Sequence, residues 1–239
     1  MLFYILLQDF QQKVTWQIGP VLTLKYTIWY YYLIRCNTKI MFSYQHYCQK
    51  RMQKFSFDYL KELTDLLETF PHDRFEEIGV ALITAYNEER QVFIMGNGGS
   101  GSTASHFVCD INKGTCIKPG KKFKVICLND NMPSMLAYAN DLSFDKIFIE
   151  QLKNFLNKGD VVIGISGSGN SENVIQAITY ANDRGARTIG LTGFDGGKLA
   201  KKVDIPFVAT IHDMQKVEDL HMIVVHMLMQ YLCKALHTE

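Results

Sequence analysis

A chain of 239 residues with 47% hydrophobic content is long enough to bury one sizeable core, alone or with an appendage. The formal charge is +1 and the isoelectric point about 7.6, which removes the electrostatic case for a nucleic-acid or anionic-membrane partner. Cysteines at 36, 48, 109, 116, 127 and 233 form no CxxC pair, so they read as reduced, buried thiols of a cytoplasmic protein rather than a disulfide frame or zinc knuckle.

Residues 1–51 differ in composition from the remainder of the chain, being rich in Tyr, Leu, Ile and Lys, with the aromatic run TIWYYYLI at 27–34. Gln, Asp and Lys interrupt their apolar stretches below the ~20 residues a membrane helix needs. Nor does a basic region precede the first apolar run, as it would in a signal peptide. Three readings stay open: a translated leader ahead of a start at Met41 or Met52, a membrane-surface segment, or a genuine extra element. Residues 52–239 read as one domain.

FDYLKELTDLLETF (57–70) places Leu60, Leu63, Leu66 and Leu67 on one helical stripe. Pro71 breaks that helix, and 72–90 predicts a second, acidic early and with Arg90 late. Five short apolar runs then alternate with helical patterns: 92–95, 123–128, 160–165, 187–191 and 204–209. That alternation predicts an α/β fold, a doubly wound, flavodoxin-like five-stranded parallel sheet with flanking helices, whose ligands bind at the carboxyl ends of the strands.

Two of those ends carry loops suited to an oxyanion. GNGGSGSTASHF (96–107) sets four glycines and three serines ahead of a helix, and GISGSGNSENV (164–174) offers Ser166, Ser168 and Ser171 among glycines. Glycines let the backbone approach an anion, helix-start amides point at it, and hydroxyls add donors. Gly96–Gly101 also satisfies G-x-G-x-x-G, but the next strand ends in Leu128-Asn129-Asp130 without a well-placed acid ~20 positions on. No G-K-[ST] follows either cluster, so no nucleotide cofactor is expected.

His106 and Asp110, four apart, share one face of the helix after the first loop. The apolar segment 217–232 contains Glu218, Asp219, His221 and His226; Glu218 and His226, eight apart, share a face, and His221 points elsewhere. If the two helices meet, His106, Asp110, Glu218 and His226 form a set suited to a divalent metal or to proton transfer. The bland alternative for any one of these histidines is a satisfied core residue.

GNGGS with the following ASHF, ISGSGNSENV, LTGFDGGKLA and EDLHMIVVH together resemble the successive signatures of sugar isomerase (SIS) domain phosphoheptose isomerases, over roughly residues 57–236. The resemblance implies an isomerase converting sedoheptulose 7-phosphate to D-glycero-D-manno-heptose 7-phosphate through an enediol, for heptose and cell-surface polysaccharide biosynthesis. It implies phosphate binding by Asn97, Gly98, Ser100, Ser166, Ser168 and Ser171, contact of Asp141 with sugar hydroxyls, and proton transfer by Asp110 and His226. It further implies one Zn²⁺ per site on His106, Asp110, Glu218 and His226, and a cytoplasmic homotetramer. Three positions depart from the family pattern: Gly167 replaces the usual Thr or Ser, Asp110 a Glu, and Glu218 a Gln. The alternative in the same fold is a non-catalytic protein binding a phosphosugar or the DNA replication initiator; His226 and an acid at 110 favour the enzyme. Arabinose 5-phosphate isomerase and muramic acid phosphate etherase are further relatives of that fold.

Overall fold

A computed structural model describes residues 47–114 and 121–236. The atypical opening stretch therefore lies outside the described residues up to position 46, as do Cys36 and Cys116. The chain divides into two compact units, Met1–Glu62 and Leu63–Glu239, and the first helix, α1 over residues 47–68, contains that division. In the first unit, α1 exposes Tyr47, Met52, Phe55, Phe57 and Leu60. The expected leucine stripe is thus uneven, for Leu66 is buried and Leu63 half-buried against the core, while Leu60 stands out at 60% exposure.

In the second unit α2, His72–Asn87, is followed by β1, Gln91–Gly96. The helix ends before Arg90 because Glu89 turns left-handed at φ 59°. Arg90 instead donates to the Lys158 carbonyl at 3.2 Å. Then come α3 (Gly98–Gly114), β2 (Lys124–Cys127), α4 (Met132–Asp141), a 3₁₀ turn (Phe144–Lys146), α5 (Ile149–Phe155) and β3 (Val161–Ser166). The chain continues through α6 (Glu172–Asp183), β4 (Arg187–Gly193), α7 (Gly197–Ala200), β5 (Ile205–Ala209) and α8 (Met214–Leu236).

The strands form a parallel sheet in the order β2-β1-β3-β4-β5, the doubly wound order expected. Strand side chains alternate between its faces, which explains two separate cores. Val92, Ile94, Ile163, Leu191 and Phe207 pack with α2, α3 and α8, whereas Phe93, Met95 and Val162 pack with α5 and α6. Burial on both faces accounts for the nearly unbroken apolar runs of β1 and β3. Each fully buried large aliphatic side chain contributes roughly 1.5–3 kcal/mol.

Helix α8 sits directly on the sheet's carboxyl end. A Cβ built on Gly193 would collide with Val217, and one on Gly167 with the Met214 sulfur. The helix, apolar on most sides, is buried on one: Val217, Leu220, Val224 and Leu228 are buried, while Met227 and Tyr231 are exposed. Among the described cysteines Cys127 is buried, Cys48 and Cys233 half-buried, and Cys109 exposed, contrary to the expectation of buried thiols. Cys109 sits next to Asp110 on the outward side of α3, where an apolar neighbourhood in sequence does not imply one in space. Burial pushes the Cys127 thiol up to about 11.

Candidate active site

Adjacent strands β1 and β3 deliver the two glycine-serine loops side by side, since Gly96 pairs in register with Ile165. This is the point where the strand order reverses, and crossovers leaving in opposite directions open a crevice there. Asn129, just beyond β2, holds the first loop: its Oδ1 accepts the Gly96 N–H at 3.1 Å and its amide donates to the Gly96 carbonyl at 2.7 Å. A Cβ on Gly96 would come within 2.6 Å of the Ser100 carbonyl, so the tight turn requires glycine. Ser100 is buried in the first turn of α3.

In the second loop Ser166 and Ser171 face each other, Oγ to Oγ at 3.0 Å. Ser171 is the N-cap of α6 and makes no side-chain cap, its hydroxyl being turned to Ser166, while Asn173 Oδ1 takes the Val174 N–H at 2.9 Å. Gly169, at φ +65°, closes the loop by donating to the Ser166 carbonyl at 2.9 Å, a conformation that disfavours any side chain. Asn170 accepts the Lys198 N–H at 3.3 Å, which brings the start of α7 against this loop. Ser168 is exposed and Gly167 buried.

The expected meeting of α3 and α8 occurs. His106 Nε2 lies 2.9 Å from His226 Nε2, and Asp110 Oδ2 lies 3.3 Å from the former and 3.9 Å from the latter. These three donor atoms all fall within 4.8 Å of one another. The rings meet edge to face, with centroids 5.0 Å apart, and both imidazoles are half-exposed, open to a ligand. Two imidazole nitrogens and a carboxylate oxygen converging with space beside them are the donor set of a catalytic zinc site, so the residues fit a divalent ion.

Glu218 takes a different post. Its carboxylate lies over Gly99, 2.5 and 2.8 Å from where a Cβ on that glycine would stand, beside the start of α3. It is not one of the three atoms that cluster. Asp141 ends α4 in solvent, accepting from Asn140 at 2.9 Å; among the described residues no hydrogen bond or ion pair joins it to either loop. His221 is 1% exposed, with Nε2 3.0 Å from the Thr192 carbonyl and Nδ1 without a hydrogen-bond partner; burial lowers it from 6.5 to about 4.

Three further polar residues at the loops escape sequence reasoning. Asn129 and Asn173 bind loop atoms, and Asp130 accepts from Ser105 at 2.5 Å. Asn129 and Asp130 follow a strand, where polar residues signal a loop site; Asn173, inside a helix, carries no such signal. A concavity of about 610 Å³ lined by Glu76, Val80, Thr84 and Arg187 lies at the opposite, amino end of the strands, remote from these groups.

The SIS domain family model matches residues 58–193. A phosphoheptose isomerase of Geotalea daltonii is 37% identical over 158 residues, covering 66% of this chain and 82% of that protein. One from Syntrophotalea carbinolica is 36% identical over 183 residues, covering 75% and 93%. The solved phosphoheptose isomerase of Neisseria gonorrhoeae superposes with a TM-score of 0.70 at 25% identity, covering 76% of this chain and 98% of that one. That of Francisella tularensis gives 0.71 at 23% identity over 77% and 97%, a likeness of fold.

Proposed function

This chain belongs to the SIS-domain phosphoheptose isomerase family, and we propose on that premise that it converts sedoheptulose 7-phosphate to D-glycero-D-manno-heptose 7-phosphate. It is an isomerase of sugar phosphates. The observation that supports the specific reading is the convergence of His226, from α8, with His106 and Asp110 of α3, the helix that starts in the first glycine-serine loop.

In the proposed mechanism the 7-phosphate lies between the loops, held by Asn97, Gly98, Ser100, Ser166, Ser168 and Ser171 and by the amides that begin α3 and α6. Asp141 meets sugar hydroxyls from the end of α4. The Asp110 carboxylate removes a proton from C1 while His226 gives one to the C2 oxygen, forming the enediol. Asp110 then returns its proton to C2 as His226 takes the proton from the C1 hydroxyl, leaving the aldehyde. Asp110 presents Oδ2 to both histidines, so Oδ1 is the oxygen left for this transfer. His106, Asp110 and His226 would hold a Zn²⁺ ion, which when bound would polarise substrate oxygens, while Glu218 stays at its post over Gly99.

The active unit in this proposal is residues 52–239, working in the cytoplasm as a homotetramer and supplying heptose for cell-surface polysaccharide. Support for assembly comes from α4, which buries no residue and exposes Met132 and Leu136, with Leu142 and Phe144 exposed beyond it. Among the described residues no helix is long and apolar enough to cross a membrane.

The test is the full chain with sedoheptulose 7-phosphate, followed by NMR for an aldose product, beside His226→Ala and Asp110→Ala. Turnover lost in both variants is the expected result. Absence of turnover in the parent, with phosphate still raising its melting temperature, would leave a sugar-phosphate-binding protein.

A further inference from the structure

Asn97 and Asn173 exchange two hydrogen bonds. Asn97 Nδ2 donates to Asn173 Oδ1 at 2.8 Å, and Asn173 Nδ2 donates to Asn97 Oδ1 at 2.9 Å. The ring is not symmetric in its surroundings, because Asn173 Oδ1 also accepts the Val174 N–H at 2.9 Å. That backbone donor fixes which atom of Asn173 is oxygen and therefore fixes the orientation of Asn97 as well. Asn173 is 1% exposed, so its amide has no water to fall back on.

The two residues belong to different loops. Asn97 is the first residue after β1, and Asn173 the second of α6, immediately after the Ser166–Ser171 turn. Strands β1 and β3 are hydrogen-bonded up to Gly96 and Ile165, where the ladder stops. The Asn97–Asn173 pair acts beyond that point as one more rung, made from side chains, joining loops the backbone no longer joins.

We infer that Asn173, through Asn97, is a positioning residue that sets the spacing of the two anion loops, so that both close on one phosphate. This rests on the phosphate-binding reading of the loops given above. Each amide carries two N–H groups and spends one on its partner, so Asn97 keeps one for a phosphate oxygen. Loss of either member lets the loops separate and leaves the other amide unpaired. The effect falls on binding of the anion rather than on the proton transfers, which Asp110 and His226 perform.

The experiment is calorimetric titration of the full chain with inorganic phosphate, for the parent, Asn97→Ala, Asn173→Ala and the double variant, together with KM and kcat for sedoheptulose 7-phosphate. Each single change is expected to raise the phosphate Kd and the KM about tenfold, with much smaller changes in kcat. The double variant is expected to be no weaker than the singles, because the pair works as a unit. Asn173→Asp should bind at least as weakly as Asn173→Ala, since a carboxylate sets an acceptor against the Asn97 carbonyl and adds negative charge near the anion. Additive losses in the cycle, or an unchanged Kd in Asn97→Ala, overturn the inference while leaving phosphate binding intact. Failure of the parent to bind phosphate overturns the reading of the loops and this inference with it. Should Asn173→Ala not fold, Asn173→Asp, which keeps the shape and the acceptor for the Val174 N–H but loses the donor to Asn97, takes its place, and an unchanged phosphate Kd in it overturns the inference.

Discussion

His106 and His226 present their Nε2 atoms to each other at 2.9 Å, although they are 120 positions apart in the chain. Two imidazole nitrogens at that distance require a proton or a cation between them, since two lone pairs repel. With Asp110 Oδ2 beside both, the three atoms form a donor set that fits a divalent ion as well as a shared proton.

Zinc added to the chelator-treated protein should therefore raise its melting temperature. At a free concentration ~100 times Kd the stabilisation is about 2.7 kcal/mol, or roughly 5–10 °C for a domain of this size. His106→Ala and His226→Ala should abolish the shift in a thermal-fluorescence assay, and retention of the full shift in both would remove these residues from metal binding.

Asp110→Asn keeps the shape of the carboxylate but accepts no proton. Turnover should fall by about 10²- to 10⁴-fold, together with exchange of the C1 hydrogen with deuterated solvent, while inorganic phosphate still binds. Exchange persisting at the parental rate would assign the carbon proton to another base.

Gly99→Ala separates the stability of the first loop from its chemistry. Its Cβ would stand 2.5 Å from Glu218 Oε1, so the carboxylate must swing away, which a flexible side-chain end does at small cost to the fold. Alanine is also the better helix former by roughly 0.5–1 kcal/mol. The expected outcome is a melting temperature little changed and a reduced kcat/KM, with Glu218→Ala giving a similar loss and the double variant adding little. Full activity in Gly99→Ala would show that the post of Glu218 beside the loop is dispensable.

His221 gives the fold a pH dependence of known sign. Its folded-state value is lowered to about 4 from 6.5, so between those limits the unfolded chain holds a proton that the folded chain refuses. Stability contributed by this residue is therefore complete above about 6.5 and is lost as pH falls toward 4, by about 3 kcal/mol in all. Urea unfolding at pH 7 and 4.5 should show this drop in the parent and a smaller one in His221→Gln, which retains a donor for the Thr192 carbonyl. Equal slopes for the two proteins would count against it.

The sheet was legible because each strand is a short apolar run, and burial on both faces makes those of β1 and β3 nearly continuous. The faces carrying His106 with Asp110, and His226, were legible too from four- and eight-residue spacing, but that the two helices meet was a condition that only the packing of α3 against α8 supplies. Glu218 was less so: its i to i+8 relation to His226 gave the face but not the neighbour, and its carboxylate lies at Gly99. Asn173 was invisible for a different reason. A buried amide inside a helix matters through a partner 76 positions away, and no local pattern announces that. The exposure of Cys109 likewise depends on which side of α3 meets the sheet.

The close seat of α8 on Gly167 and Gly193 makes those two residues the gauge blocks of the catalytic end. A helix is stiff along its length, so lifting it at Val217 tilts the whole lever and displaces His226, more than two turns away, by a comparable amount. Misplacement of ~1 Å at a reacting centre costs on the order of a hundredfold in rate. Alignment of the imidazoles is thus machined by two missing side chains, neither of which touches them, and tolerance at 167 and 193 is set by the chemistry downstream.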